Sequence, residues 1–282
     1  MVGVLGVSAS AILVRFSQAP SGVTAAYRLG WTVLLLLPVV LLRCRAELRR
    51  VTARDLVLCG ASGVLLALHF LTWFESLKRT SVASSTVLVS TEVIFTALGF
   101  ALFLHGKIPR LGVWAILLAF GGSALLALSG GGGAGELSGN LLALAAASAA
   151  AVYTLIGRVQ RGHLSTTVYT FLTYLACFLT LLLGTAAAGT PLTGYGGREW
   201  LIGLALAVLC TLLGHSLFSW CLKYLSPSYV SAAKLCEPVF SSLAAIPLFG
   251  EVPGPLQLAG GAAVLGAVLL YTWAEREKTP AG

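Results

Sequence analysis

The stretch Leu29-Gly-Trp-Thr-Val-Leu-Leu-Leu-Leu-Pro-Val-Val-Leu-Leu42 carries no charge, and neither does Ala259-Gly-Gly-Ala-Ala-Val-Leu-Gly-Ala-Val-Leu-Leu-Tyr-Thr-Trp273. Runs of this length are too long and too uniformly apolar for the alternating strands of a membrane barrel. They fit helices whose surroundings are hydrocarbon, where every backbone polar group must find its partner within the segment. Composition extends this reading to the whole chain of 282 residues: 57% are hydrophobic and only 10% are charged, with a mean hydropathy of +0.92. A soluble domain carries roughly 25% charged residues, enough to build a polar shell; this chain cannot build one.

Working outward from those runs, ten apolar spans are expected: Val2–Phe16, Val23–Leu42, Leu56–Leu77, Val82–Leu104, Leu111–Leu128, Gly139–Gly157, Thr166–Ala187, Trp200–Leu222, Ser228–Phe249 and Leu256–Trp273. Most approach the ~20 residues that cross a bilayer, and the first is short. No basic residue precedes the first span, which reads as a helix and not as a signal peptide. Ser129–Gly139 contains four consecutive glycines, Gly130 to Gly133. It is expected to be flexible.

The two sides of that segment match. His69 and His215 lie 146 positions apart, as do Pro109 and Pro255, Ser85 and Ser231, and Val93 and Val239. The register holds without a gap from the third span to the fifth and from the eighth to the tenth. Nearer the start of each half, an offset of 143 pairs Ile12-Leu13-Val14-Arg15 with Leu155-Ile156-Gly157-Arg158. An ungapped register through several spans signals an internal repeat. The expected organisation is a first repeat at 1–128, a linker at 129–138, a second repeat at 139–274 and a tail at 275–282.

An odd number of spans per repeat inverts the second half relative to the first. With the N-terminus in the cytoplasm, the inner segments hold Arg43, Arg45, Arg49, Arg50, Arg54, Lys107, Arg110, Arg158, Arg161, Lys223, Arg276 and Lys278, and the outer ones only Arg15, Lys78, Arg79 and Arg198. Basic residues favour the cytoplasmic side, so both termini are expected there. The net charge of +8 is thus an orientation signal, with anionic lipid a further partner for Arg43–Arg54, and no nucleic-acid partner is implied. The six cysteines, Cys44, Cys59, Cys177, Cys210, Cys221 and Cys236, form no CxxC pair. They read as small apolar filler, and neither a disulfide framework nor a metal site is expected.

The stretch Ser231-Ala-Ala-Lys-Leu-Cys-Glu-Pro-Val-Phe, the following Leu248-Phe-Gly-Glu251 and the glycines Gly260, Gly261 and Gly266 resemble the EamA-type repeat of the drug/metabolite transporter superfamily. Tyr27-Arg28-Leu29 resembles that family's early arginine. The resemblance spans nearly the whole chain. It implies an all-α integral membrane protein of about ten helices in two inverted repeats, a complete unit in one chain. It also implies a secondary transporter of amino acids, other metabolites, nucleotide sugars or drugs, commonly an exporter in the bacterial inner membrane. No cofactor is implied. The first half departs from the pattern, with Glu92 where the offset gives Pro238 and His105 where it gives Glu251.

Charges within hydrocarbon are costly and mark functional positions. Four lie well inside spans: Arg28, Glu92, Lys234 and Glu237. Lys234 and Glu237 are three apart and share a helix face. Pro238 lacks the N–H that would satisfy the Lys234 carbonyl, which predicts a helix break. Together these could hold a zwitterion such as an amino acid; the alternative is an internal ion pair that locks helices. Glu92 is a candidate proton-binding carboxylate, or a neutral acid bonded to the hydroxyls around it. Arg28 either attracts anionic groups from the outer side or snorkels to the interface. His69 and His215 are expected on opposite sides of the midplane, as gates or proton relays or simply as hydrogen-bonded neighbours. Trp73, Tyr153 and Trp220 are expected to line a cavity. Trp31, Trp114, Trp200 and Trp273 read as interface anchors, and Ala143–Ala151 as a close-packing surface.

Three classes of function are compatible with a polyhelical membrane protein. A secondary transporter would place its site near the midplane between the repeats. The absence of a Gly-x-x-x-x-Gly-Lys-Ser/Thr pattern excludes ATP as a direct energy source through that motif. An intramembrane enzyme would need a nucleophile with its base, or a metal, for which no motif is present. A non-transporting scaffold would keep its charged residues dry and occluded.

Overall fold

The computed structural model describes residues 2–103, 109–129, 134–225, 227, 230, 234 and 236–276, and among these no strand occurs. In chain order the helices are α1 (Val2–Phe16), α2 (Ser21–Arg43), the short α3 (Arg45–Leu48), α4 (Ala53–Arg79), α5 (Val82–Val89), α6 (Glu92–Phe103), α7 (Arg110–Ser129), α8 (Ala134–Gln160), α9 (Thr166–Ala187) and α10 (Gly197–Ala205). A π-helical stretch (Leu206–His215), α11 (Ser216–Cys221), α12 (Cys236–Phe249) and α13 (Pro255–Arg276) complete the bundle.

Among the described residues, seven apolar segments are long enough to cross a bilayer, and three shorter ones, Gly6–Phe16, Arg110–Leu126 and Glu237–Phe249, accompany them. The polarity of the bundle is that of a membrane protein. Leu42, Phe103, Leu183 and Val57 are exposed, while Ser62, Ser84, Ser85, Thr173 and Ser241 are fully buried. An apolar surface this extensive has hydrocarbon as its natural solvent, and this is a multi-pass membrane protein.

Local chemistry sets the element ends. Thr52 caps α4: its hydroxyl accepts from the Asp55 N–H at 3.2 Å, and the Asp55 carboxylate accepts from the Thr52 N–H at 3.0 Å. This reciprocal arrangement satisfies orphan donors at a helix start. Ser81 caps α5 by accepting from the Ser84 N–H at 3.1 Å. Helix α8 begins at Ala134, ahead of the expected Gly139, so the C-terminal part of the supposed linker is helical; Gly130–Gly133 lie outside the described residues.

Helices approach closely where side chains are small. A Cβ on Gly63 of α4 would lie 2.6 Å from the Thr173 carbonyl oxygen of α9, so only glycine fits there. Ala143, Ala146, Ala147, Ala150 and Ala151 of α8 are all buried, and α8 packs extensively along α4. The main apolar core joins Ala11, Leu29, Phe70, Phe74, Tyr174 and Leu206 from both halves of the chain.

One expected span is two helices. The fourth, read as Val82–Leu104, divides into α5 and α6 at Ser90–Thr91, and Leu104 lies outside the described residues. No proline or glycine causes the break. The Ser90 hydroxyl donates to the Thr86 carbonyl at 2.9 Å and the Thr91 hydroxyl to the Leu88 carbonyl at 2.6 Å. Side chains that bond nearby carbonyls compete with the helix ladder; here the Ser90 N–H is shared between the Thr86 and Val87 carbonyls, and the Thr91 N–H reaches only three residues back to Leu88.

Candidate functional site

The break between α5 and α6 places Glu92 at the first residue of α6. In the second half α12 starts at Cys236, which puts Pro238 in its first turn. There a missing N–H costs least. Of the residues before it, only 227, 230 and 234 from Ser226 to Leu235 are described. His105, the counterpart of Glu251, lies outside the described residues.

A cavity of about 30 Å³ lies where these helix ends meet α1, α4 and α8. Glu92, Lys234 and Glu237 line it, together with His69, His215, Trp73 and Tyr153. This volume accepts water-sized groups. Seven of the residues singled out in the sequence therefore converge on one space.

Their pairing differs from that expected along the ninth span. The Lys234 ammonium donates to both carboxylate oxygens of Glu92, at 2.9 and 3.1 Å, and so joins the second half to the first. The Thr154 hydroxyl donates to the same carboxylate at 2.9 Å. Lys234 also lies 5.4 Å from the centre of the Phe218 ring. No hydrogen bond from the described residues reaches the Glu237 carboxylate, which borders the cavity.

The two histidines share the cavity, with ring centroids 6.3 Å apart. His69 sits in regular α4, and His215 ends the π-helical stretch. His69 Nδ1 lies 3.0 Å from the Ala146 carbonyl oxygen. A carbonyl only accepts, so Nδ1 carries the hydrogen and Nε2 of the neutral ring is an acceptor. The Trp73 indole N–H is buried without a partner among the described residues, and the Tyr153 hydroxyl lies 3.2 Å from that of Ser219.

Arg28 does not snorkel: it is 0% exposed. Its Nε donates to the Thr211 hydroxyl at 2.7 Å, its Nη1 to the Ser10 hydroxyl at 3.1 Å, and its guanidinium lies 4.1 Å from the centre of the Phe70 ring. Trp220 is outside the cavity, half-exposed and packed on Tyr224 with centroids 5.0 Å apart. Pro238 faces a separate apolar groove with Val239 and Leu243.

Sequence reasoning missed the tie at one end of the bundle. Arg15, at the end of α1, pairs with Glu251 and donates to the Leu77 carbonyl at the end of α4. Glu251 also accepts from the Val82 N–H at 2.8 Å, and Phe16 packs on Phe249 with centroids 5.2 Å apart. At the other end Arg158 donates to the Leu222 carbonyl at 2.5 Å and the Leu225 carbonyl at 3.4 Å. The available signal was the match of Arg15 with Arg158, which had served only to set register.

A bundle of apolar helices around a small charged cavity, entered by helix ends from both halves, is the build of a membrane transporter of small molecules. The chain belongs to the EamA-like transporter family, which it matches over residues 1–128 and 137–273; this places it among transporters and not enzymes. It is 24% identical to the pseudopaline exporter CntI of Pseudomonas aeruginosa over 73% of this chain and 72% of that one. It is 28% identical to a protein of Streptantibioticus cattleyicolor named "Probable terminal-alkyne amino-acid exporter", over 79% of this chain and 75% of that one. A solved crystal structure superposes with a TM-score of 0.68 at 18% identity, covering 96% of this chain and 94% of the other, and shares the fold.

Proposed function

We propose that this protein is an exporter of small metabolites, amino acids among them, that works by alternating access at the cavity shared by Glu92, Lys234 and Glu237. The two repeats, 1–128 and 139–274, move about that cavity, the 129–138 segment joins them and the 275–282 tail lies in the cytoplasm. The protein sits in the plasma (inner) membrane with both termini inside, an orientation that the bias of basic residues supports.

The observation that carries this reading is the convergence of one ion pair and one unpaired carboxylate on a cavity of about 30 Å³. Such a space is too small for an amino acid, so loading requires one end of the bundle to open. The Arg15–Glu251 end is tied through a carboxylate. The Arg158 end rests on two carbonyls, and among the described residues no carboxylate pairs with Arg158. That second end also carries Arg43, Arg45, Arg49, Arg50 and Arg54, because the Glu47 carboxylate accepts from the Ser165 N–H beyond α8 at 2.6 Å. In the proposed orientation it faces the cytoplasm, from which an exporter loads. Both relatives described above carry the word exporter in their names.

Glu92 and Glu237 are the proposed proton-exchanging groups. His69 and His215 stand close enough to relay protons or to gate the cavity. Substrate entering beside Glu237 would displace its proton and couple loading to proton exchange. The test is flux in proteoliposomes of the purified protein, with amino acids, a cationic dye and a nucleotide sugar, each with and without a pH gradient. Saturable flux that responds to the gradient and is lost in Glu237→Gln supports the proposal. Absence of flux for every compound overturns it.

A further inference from the structure

Two cations approach the transport cavity, and only one is matched by an anion. Lys234 is held by Glu92. Arg28 is fully buried in α2, yet among the described residues no carboxylate pairs with it and its Nη2 has no hydrogen-bond partner. A guanidinium offers five N–H donors and stays charged under all physiological conditions. Leaving such donors unmet away from water is costly.

The surroundings hold Arg28 in place. The Thr211 hydroxyl accepts from Arg28 Nε and itself donates to the Leu206 carbonyl, five residues back, at 3.2 Å. That reach exists because Leu206–His215 is π-helical. Ser10, which accepts from Nη1, lines the cavity. Phe70, beneath the guanidinium, lies with its centroid 5.5 Å from that of His215, also in the cavity wall. Arg28 is thus one side chain behind the cavity, with Ser10 and His215 between. The Glu237 carboxylate borders the same space and receives no hydrogen bond from the described residues.

We infer that Arg28 and Glu237 are the two poles of the substrate site, with Nη2 of Arg28 taking a substrate carboxylate and Glu237 taking a substrate amine. The substrate class is then a compound carrying both groups, an amino acid in its zwitterionic form. Lys234 is excluded as the carboxylate anchor because Glu92 already occupies it. A zwitterion supplies one anion and one cation, so it satisfies both unmatched groups while adding no net charge to the interior. The Trp73 indole N–H, also unpartnered, is a second donor for the carboxylate or for a polar side chain. No hydrogen bond among the described residues holds the His215 ring, which with Ser10 stands between the cavity and Arg28.

This inference rests on the transport reading, and its test separates the two. Proteoliposomes of the wild type, Arg28→Met, Arg28→Lys and Glu237→Gln are assayed with the twenty common L-amino acids, and with the decarboxylated amine of whichever amino acid moves fastest. Arg28→Met is expected to lower amino-acid flux on the order of 10- to 100-fold, the scale of one lost charge-assisted hydrogen bond, while amine flux changes little. Glu237→Gln is expected to depress both. Ser10→Ala and Thr211→Val, which loosen Arg28 and keep its charge, are expected to raise KM for the amino acid alone; they serve if Arg28→Met does not fold. Equal loss of amino-acid and amine flux in Arg28→Met, or unchanged KM in both loosening variants, overturns the assignment and leaves the transporter standing. Wild-type flux of amines without amino acids overturns it as well. Absence of wild-type flux for every compound removes the transport reading itself.

Discussion

Lys234 and Arg28 are both buried cations beside one cavity, and the protein treats them oppositely. Lys234 contributes two hydrogen bonds to Glu92 and bridges the two halves of the chain. Arg28 is braced by two hydroxyls and an aromatic face, with one nitrogen left bare. The first arrangement resembles a structural clamp, whose removal strands a partner. The second resembles a receptor held ready, whose removal strands no opposite charge. The difference shows that a charge inside a membrane bundle does not announce its role by position; what it is bonded to distinguishes scaffold from site.

Substitutions can break or sharpen this contrast. The largest effect is expected for Lys234→Ala, which leaves Glu92 as an uncompensated buried charge and should cost about 3–5 kcal/mol. Thermal unfolding in detergent measures it, and Glu92→Gln with Lys234→Met should recover most of the loss. A stable single variant would dissolve the clamp. Next comes Glu251→Ala. It removes the ion pair of Arg15, which keeps its bond to the Leu77 carbonyl, and leaves the Val82 N–H unmet, at about 1.5–3 kcal/mol for a lost charge-assisted bond. A cysteine placed at Phe16 in that variant, with the native cysteines replaced, should react faster with a membrane-impermeant maleimide.

Thr211→Val is expected to cost about 1 kcal/mol, because Arg28 Nε and the Leu206 carbonyl lose one bond each while the backbone keeps its course. The smallest change is expected for Arg28→Met. No carboxylate is stranded, and removal of a buried charge offsets the lost bonds to Thr211 and Ser10, so its unfolding temperature should stay near that of the wild type or rise. A fall as large as that of Lys234→Ala would place Arg28 among the clamps.

Much of the fold was legible because hydrocarbon imposes a simple rule: long uncharged runs must be helices. The candidate site was legible as a set of residues, since charges such as Glu92, Lys234 and Glu237 stand out against so apolar a background. The pairings were not. Whether Lys234 turns to Glu237 on its own face or to Glu92 across the bundle depends on where the helices begin. Ser90 and Thr91 gave that information only through their hydroxyl bonds to carbonyls one turn back. Trp220 misled because an aromatic in an apolar run suits a cavity wall and a lipid-facing surface equally, and it is half-exposed. Arg15 was read as an orientation marker; its partner Glu251 lies 236 positions away, beyond any local pattern.

The π-helical stretch has a further consequence for the chain as a length of text. His69 and His215 align without a gap, yet one is reached through α-turns and the other through wider turns that consume more residues each. Deleting one residue between Leu206 and His215 would let the stretch tighten toward the commoner helix. The hydrogen bonds from Thr211 to Leu206 and from Ser216 to Thr211, each five residues long, would then lose their geometry. A single-codon deletion in this segment would act as a rotation of everything that follows it, an effect that no substitution at Thr211 or His215 can imitate.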